Sequence, residues 1–385
     1  MNHKIYLDYA ATTPVDPRVM EAMLPYFSER FGNPSSIHTF GQQADAALET
    51  ARDTISQVLH CQSDEIIFTS GGSESDNLAL RGVAFAERNK RGANHLLVSA
   101  IEHPAVTRTA AQLAKVFGFD LEYLPVDEYG TVHPEEVANR LREDTALVSV
   151  MYANNEIGTI NPIAEIGALC REHSIPFHTD AVQAAAYLPV DVKALNVALV
   201  SLGAHKFYGP KGIGVLYIHK GTSIFPTQTG GEQEFGLRAG THNTPYIVGL
   251  AEALRLAHGE RDERHEKLRP MRDRIIGHIL EEIPASRLTG HPINRLPNHA
   301  SFVFEGVDGN ALLMLLDVAG FACSSGSACK TGDPEPSGVL LALGLPRNWA
   351  LGSLRITLGK DTTPVEVDSF LSELPQIVER ARNLS

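Results

Sequence analysis

Apolar residues in this chain come in short runs: "EIIFTS" (65–70), "HLLVSA" (95–100), "ALVSVMY" (146–152), "IPFHTD" (175–180) and "VALVSLG" (197–203). Runs of this length bounded by polar and turn residues predict buried strands. Between them lie segments with helical spacing, "SESDNLALRGVAFAERN" (73–89), "HPAVTRTAAQLAKVFG" (103–118) and "PIAEIGALCREH" (162–173). Strand and helix alternating in this way predict an α/β domain around a mostly parallel sheet. Past Gly249 the pattern changes to one long charged helical stretch (251–283) and a strand-like "HASFVFEG" (299–306). A helix (310–320), a strand, "SLRITLG" (353–359), and a final helix (365–382) follow, which predicts a smaller α+β domain.

Composition narrows the class without naming a function. The chain has 385 residues, 43% of them hydrophobic, enough for one large domain and a smaller one. No run approaches the roughly 18 uninterrupted apolar residues of a membrane span. The start, "MNHKIYLDYAATTP", lacks the basic-then-apolar order of a signal peptide. A formal charge of −13 argues against a nucleic-acid partner. Four cysteines (Cys61, Cys170, Cys323, Cys329) do not make a disulfide scaffold, which favours a reducing, cytoplasmic compartment.

Ser70, Asp180 and Gly203 all fall at the carboxyl ends of expected strands, where open α/β sheets bind ligands. In "SLGAHKFYGPKGIGVLYI" (201–218) a lysine follows a strand and a histidine and precedes a Gly/Pro turn. Such a lysine can lose its proton in a pocket and form a Schiff base; Lys206 and Lys211 equally read as solvated lysines beside a turn. "HTDAVQA" (178–184) puts Asp180 at a strand terminus and Gln183 three residues on. A buried carboxylate there needs a cation, such as a pyridinium nitrogen, or else it caps a helix.

"TSGGSESDN" (69–77) places two glycines between strand and helix, with Ser73 and Asp76 spaced as a capping box. Its backbone N–H groups can cradle a phosphate, or it is an ordinary turn. His103 in "EHPAV" can stack on an aromatic ring or lie at the surface, and Asn155 in "NNEIG" can orient a substrate or make a turn. Arg355, a charge inside a strand-like run, points to a carboxylate partner held by a bidentate pair. Each signal is weak alone. Together, a Schiff-base lysine, a pyridinium partner, a phosphate cradle and a stacking ring fit one cofactor.

"YLDYAATTP", "GNPSSIH", "FTSGGSESDN", "EHPAV", "NNEIG", "HTDAVQA", "HKFYGPKGIG", "GLRAGTHN", "SSGSAC", "EPSGVLLALG" and "SLRITLG" together resemble the NifS/IscS-like cysteine desulfurases. These are class V members of the fold-type I pyridoxal-phosphate enzymes. The resemblance runs in order from Tyr6 to Gly359. It implies a large domain (15–255) with a mainly parallel seven-stranded sheet. A small α+β domain (1–14 with 256–385) would carry a mobile cysteine loop at about 322–335.

By the same resemblance Lys206 is the Schiff-base lysine, Asp180 holds the pyridine nitrogen and Gln183 bonds the phenolic oxygen. His103 stacks on the ring and helps move protons. Gly72, Ser73 and His205 take the phosphate of pyridoxal 5'-phosphate. Thr241 reaches across from the other subunit of a homodimer. Asn155 and Arg355 position L-cysteine, and Cys329 attacks its sulfur. Cys323, after the apolar "VAGFA", reads as a small buried hydrophobe.

Two features depart from the pattern. Gly203 stands where relatives carry a phosphate-bonding serine, unless Ser201 or water substitutes. The chain ends at Ser385 without the longer tail some relatives use to dock a scaffold, which leaves the sulfur acceptor, an iron–sulfur scaffold or another carrier, open. The competing readings are a class V aminotransferase or lyase, which would not need Cys329, and a metal or iron–sulfur carrier. No C-x-x-C pair supports the latter.

Overall fold

The computed structural model describes residues 4–326 and 335–384. The apolar runs form β1 (Ile66–Thr69), β2 (His95–Ser99), β4 (Thr145–Ser149), β5 (Phe177–Asp180), β6 (Leu199–Gly203) and β7 (Gly214–Ile218), with β3 (Asp120–Leu124) completing one sheet. Their order is β1-β7-β6-β5-β4-β2-β3, and β7 alone runs antiparallel to its neighbours. All residues of the six inner-pattern strands are buried, which is why these strands read as continuous apolar runs. β3 is an edge strand, "DLEYL", mostly open to solvent, and its polar pattern hid it from the periodicity.

Helices cover the sheet: α1 (Thr39–Leu59), α2 (Gly72–Arg91), α3 (Pro104–Phe117) and α4 (Ile163–Glu172). α1 was not among the expected elements. Its inward face is built largely of small residues, with Ala44, Ala47, Leu48, Ala51, Ile55 and Leu59 buried at helical spacing. The stretch expected as one helix over 251–283 is two, α5 (Thr244–Gly259) and α6 (Arg261–Glu282). Gly259 weakens the helix there. The Glu260 carboxylate at the break binds Arg18 at 2.6 Å and Arg264 at 2.9 Å, which fixes the bend.

Beyond α6, β8 (Ser286–Leu288), β9 (His299–Phe304) and β10 (Ser353–Thr357) form a small antiparallel sheet in the order β10-β9-β8. α7 (Gly309–Ala319) and α8 (Pro364–Arg382) pack with it. Asp308 caps α7, and Thr363 with Glu366 forms a capping box on α8. The chain's start joins this side: Ile5–Tyr6 pairs in parallel with Phe321–Ala322, and Asp8 bridges Thr357. From there residues 8–13 run over the carboxyl edge of the large sheet, where Thr13 N–H donates to the His205 carbonyl at 2.9 Å. A cleft lies between the two sheets along that edge.

Candidate active site

The cleft holds about 570 Å³ and gathers residues from seven separate segments. Gly72, Ser73, His103, Asn155, Asp180, Gln183, His205, Lys206 and Arg355 all line it. Thr241 is exposed and does not line its own chain's cleft. Cys329 lies outside the described residues.

The phosphate-cradle candidate is the β1–α2 turn. Gly71 has φ +152°, a conformation that side chains rarely adopt, and it turns the chain sharply into α2. The expected Ser73–Asp76 capping box is not formed, because α2 begins at Gly72 with no side chain on its first N–H groups. Asp76 is instead buried in the lining of the cleft. An uncapped helix start leaves N–H groups for an anion. A Cβ on Gly72 would come within 2.7 Å of Val182 Cγ2, so the close approach of these segments requires glycine there.

Lys206 sits in a short turn after β6, and its Nζ donates to the carbonyls of Ala10 at 2.7 Å and Ala11 at 2.6 Å. Burial, helped by the Arg355 charge, pushes its amine down to about 8. Gln183 Nε2 donates to the same Ala10 carbonyl at 2.8 Å. Asp180 Oδ1 accepts from Val182 N–H at 2.9 Å, a local turn bond. Among the described residues Asp180 forms no salt bridge, and burial raises its carboxyl against the pull of His103 and Lys206.

Two further carboxyls lie behind it. Burial and the Asp180 charge raise Asp76, and burial raises Glu102 to about 8. Glu102 Oε1 accepts from Ser99 Oγ at 2.5 Å and Met151 N–H at 2.6 Å, while Oε2 is buried with no hydrogen-bond partner among the described residues. A neutral carboxyl suits that setting.

Both histidines are held through Nδ1. His103 caps α3, its Nδ1 accepting from Ala105 N–H at 3.1 Å, and burial lowers its pKa. His205 Nδ1 lies 3.2 Å from Thr12 Oγ1, and burial with the charges of Lys206 and Lys211 brings it down to about 4. Ser201 does not replace the serine missing at Gly203. Its Oγ faces His178 Nε2 at 2.9 Å in the buried interior and does not line the cleft.

Arg355 enters from the small sheet, on β10. Nη2 donates to Asp8 Oδ1 at 2.8 Å and Nη1 to the Asn155 carbonyl at 3.0 Å, while Nε is buried and unbonded among the described residues. The resident carboxylate partner is therefore Asp8, held by one contact, not a bidentate pair. The Arg355 backbone also ladders with Ser324, N–H to carbonyl at 2.7 Å and back at 3.3 Å. Cys323, the residue before Ser324, is half-buried, not fully buried as expected, and desolvation raises its thiol pKa strongly. Farther along, Ser337 Oγ donates to the Glu156 carboxylate, and burial raises Glu156 to about 7.

Residues 5–370 match the class-V aminotransferase family model. The chain is 50% identical over 384 residues to a cysteine desulfurase IscS of Methanosarcina thermophila, with 100% of this chain and 94% of the relative covered. It is 43% identical to a cysteine desulfurase NifS of Azotobacter vinelandii, covering 99% of this chain and 94% of that one. The chain belongs to the NifS/IscS cysteine desulfurases of the class-V aminotransferase family. A solved NifS-like protein superposes with a TM-score of 0.91 at 37% identity, covering 98% of this chain and 100% of that one. The solved structure described as SspA in complex with cysteine has a TM-score of 0.80 at 37% identity, covering 92% of this chain and 98% of the other.

Reading single residues missed Asp8, Ala10, Ala11, Thr12 and Glu102. The stretch "YLDYAATTP" is part of the family pattern, but alanines that act through backbone carbonyls carry no chemical signal in their side chains. Asp8 becomes significant only when β10 brings Arg355 beside it.

Proposed function

We propose that this cysteine desulfurase moves the sulfur of L-cysteine onto Cys329, leaving L-alanine, with the work divided among the residues of the cleft. The balance is L-cysteine plus Cys329–SH giving L-alanine plus Cys329–S–SH. The substrate C–S bond breaks, an S–S bond forms, and the carbon skeleton takes up the thiol's proton.

The residues fit pyridoxal phosphate. Asp180 is a buried carboxylate with no salt bridge among the described residues, the α2 start has no side-chain cap, and Gly72 has no room for a Cβ. Lys206 would attach the cofactor covalently, Asp180 would face its ring nitrogen, and Gln183 its phenolic oxygen. His103 would lie on its ring, with Gly72, Ser73 and His205 at the phosphate. When bound, the cofactor supplies an electron sink that weakens bonds at the substrate's α-carbon.

Arg355 takes the substrate carboxylate in exchange for Asp8, and Asn155 lines the same end. Lys206, with its lowered pKa, would give and take the proton at the substrate α-carbon. His103, neutral through burial, handles protons on the other side. Cys329 reacts as the thiolate.

The observation that carries this reading is the ladder between Ser324 and Arg355. The segment leading to Cys329 leaves from a residue paired with the one that binds the substrate carboxylate. The test is brief exposure of the reconstituted enzyme to L-cysteine, followed by mass spectrometry and alanine assay. One extra sulfur on the Cys329 peptide is expected, and Cys329→Ser should form neither persulfide nor sulfide. Extra sulfur on Cys323, or full turnover in Cys329→Ser, would overturn the assignment.

The working unit in this reading is a homodimer. Leu24, Phe27, Phe31, Ile37 and Phe40 are exposed apolar side chains within one short segment, with Ile37 93% exposed. Thr241, exposed in its own chain, is then supplied to the neighbouring cleft. The division into a domain at 15–255 and one made of 1–14 with 256–385 follows the N-terminal ladder to Phe321–Ala322. The compartment is the cytoplasm, and the persulfide is passed to a scaffold or carrier protein. Among the described residues no helix is long and apolar enough to cross a membrane.

A further inference from the structure

Glu234 lies outside the cleft, in the loop that leads to Thr241, yet its side chain is only 1% exposed. Its carboxylate accepts four hydrogen bonds. Arg52 gives two, Nη2 to Oε1 at 2.9 Å and Nη1 to Oε2 at 3.2 Å. Phe68 N–H donates to Oε2 and His242 Nε2 to Oε1, each at 2.7 Å. Arg52 is itself fixed between the rings of Phe68, at 4.8 Å, and Phe235, at 5.2 Å.

The backbone is unusual at the same place. Glu234 has φ 50° and Phe235 φ 57°, two consecutive non-glycine residues in the left-handed region. That conformation persists only where the surroundings hold it, and such strain gathers at functional positions. Burial would raise the Glu234 carboxyl, but the bonds from His242 and Arg52 outweigh it and lower the pKa. The group is an anion locked in place.

What it joins gives the lock a purpose. Phe68 lies in β1, the strand that ends in the Gly71–Gly72–Ser73 cradle. His242 adjoins Thr241. A second tie runs parallel to the first: Arg238 Nε donates to Glu74 Oε1 at 2.8 Å, and Glu74 Oε2 accepts from Ser70 N–H at 2.6 Å. Glu234 is thus bonded to Phe68, and Arg238 to Glu74 and through it to Ser70, which bracket the cradle, while His242 is held by Glu234.

We propose that Glu234 is a positioning residue that fixes the Thr241 loop to its own subunit's phosphate cradle, so that it acts on the other subunit's cofactor. The inference rests on the reading that Thr241 reaches across the dimer. A change at Glu234 is then felt mainly in trans.

Differently tagged mixed dimers test this. In the first, one subunit carries Lys206→Ala with Glu234→Gln and the other is unchanged. The unchanged site, the one able to attach the cofactor covalently, is then served by the altered loop. Titration of the apoprotein with pyridoxal phosphate, followed by the visible absorbance of the attached cofactor, should show affinity weakened about tenfold, the loss of one charge-assisted hydrogen bond's worth of positioning. Placing Glu234→Gln beside Lys206, with Lys206→Ala alone in the other subunit, should weaken it less.

Native affinity in the first arrangement, or loss confined to the second, overturns the proposal. Thr241→Ala in the first arrangement separates the two readings. A loss there with native affinity for Glu234→Gln sinks only the role of Glu234, while no loss there sinks the reaching-across reading, and the proposal with it. If Glu234→Gln does not fold, His242→Phe, at a less buried position, should still weaken affinity severalfold in trans, and unchanged affinity would count as refutation.

Discussion

The two walls of the cleft hold their charges differently. On the large-sheet wall, Asp180 has no salt bridge among the described residues, Glu102 keeps one buried oxygen unbonded, and Lys206 rests on neutral carbonyls of Ala10 and Ala11. On the small-sheet wall, Arg355 is already matched by Asp8 at 2.8 Å. The first wall is incomplete until a ligand supplies countercharge and donors. On the second the cation already has its countercharge, with only Arg355 Nε left unbonded among the described residues, so a substrate carboxylate must take the place of one already present. Chemistry therefore depends on the first wall, while the second sets how readily substrate is exchanged.

The largest effect should come from Lys206→Ala, which abolishes turnover and the visible absorbance of covalently attached cofactor. Multiple turnover in that variant would erase the distinction between the walls. Next is Arg355→Lys, which keeps the charge but loses the planar fork. KM for L-cysteine should rise about tenfold, with a smaller change in kcat. A fall in kcat at unchanged KM would move Arg355 from substrate exchange into the chemistry.

Glu102 sharpens the account of the first wall through pH. Burial pushes its carboxyl from the ordinary 4.5 up to about 8 in the native protein. Between those values the unfolded chain binds fewer protons, so the group's contribution to stability, full at low pH, is lost as pH rises and levels off above about 8. The loss is at most about 1.4 kcal/mol per pH unit. Glu102→Gln, neutral throughout, should show a flatter decline of Tm from about pH 5 to about pH 8 than the wild type. Parallel profiles would mean that Glu102 is ionised in the native state.

The smallest effect is expected at Gly203. A Cβ there would stand 3.3 Å from Gly72 N and 3.6 Å from Val182 Cγ1, tight but not closed. Gly203→Ser should change cofactor affinity by less than about tenfold, a hydroxyl's gain set against a slight shift of the cradle. A larger loss would show that the cradle cannot yield.

Much of this molecule was readable in advance where structure is local. β1, β2, β4, β5 and β6 appeared as apolar runs because both faces of each are buried. Lys206, Asp180 and the Gly71–Gly72 turn were visible because each sits at or just beyond the carboxyl end of a strand, and the sheet brings strand ends together. The Ser73–Asp76 spacing misled because a cap and a buried carboxylate share the same letters. α1 and β3 were missed, one because alanines make a faint apolar stripe, the other because an edge strand alternates with solvent.

The sequence by itself determined the order of strands and helices, the residue types at the strand ends and the family pattern that unites them. These follow from periodicity and from chemistry carried by single side chains. Only the tertiary structure decided that Asp8 meets Arg355 across 347 positions, that alanine carbonyls hold Lys206, and that Ser201 faces the interior. It also decided that Glu234 ties a distant loop to the cradle. Those contacts join segments far apart in the chain, and burial changes the state of each charged group once the segments meet. No local pattern encodes either effect.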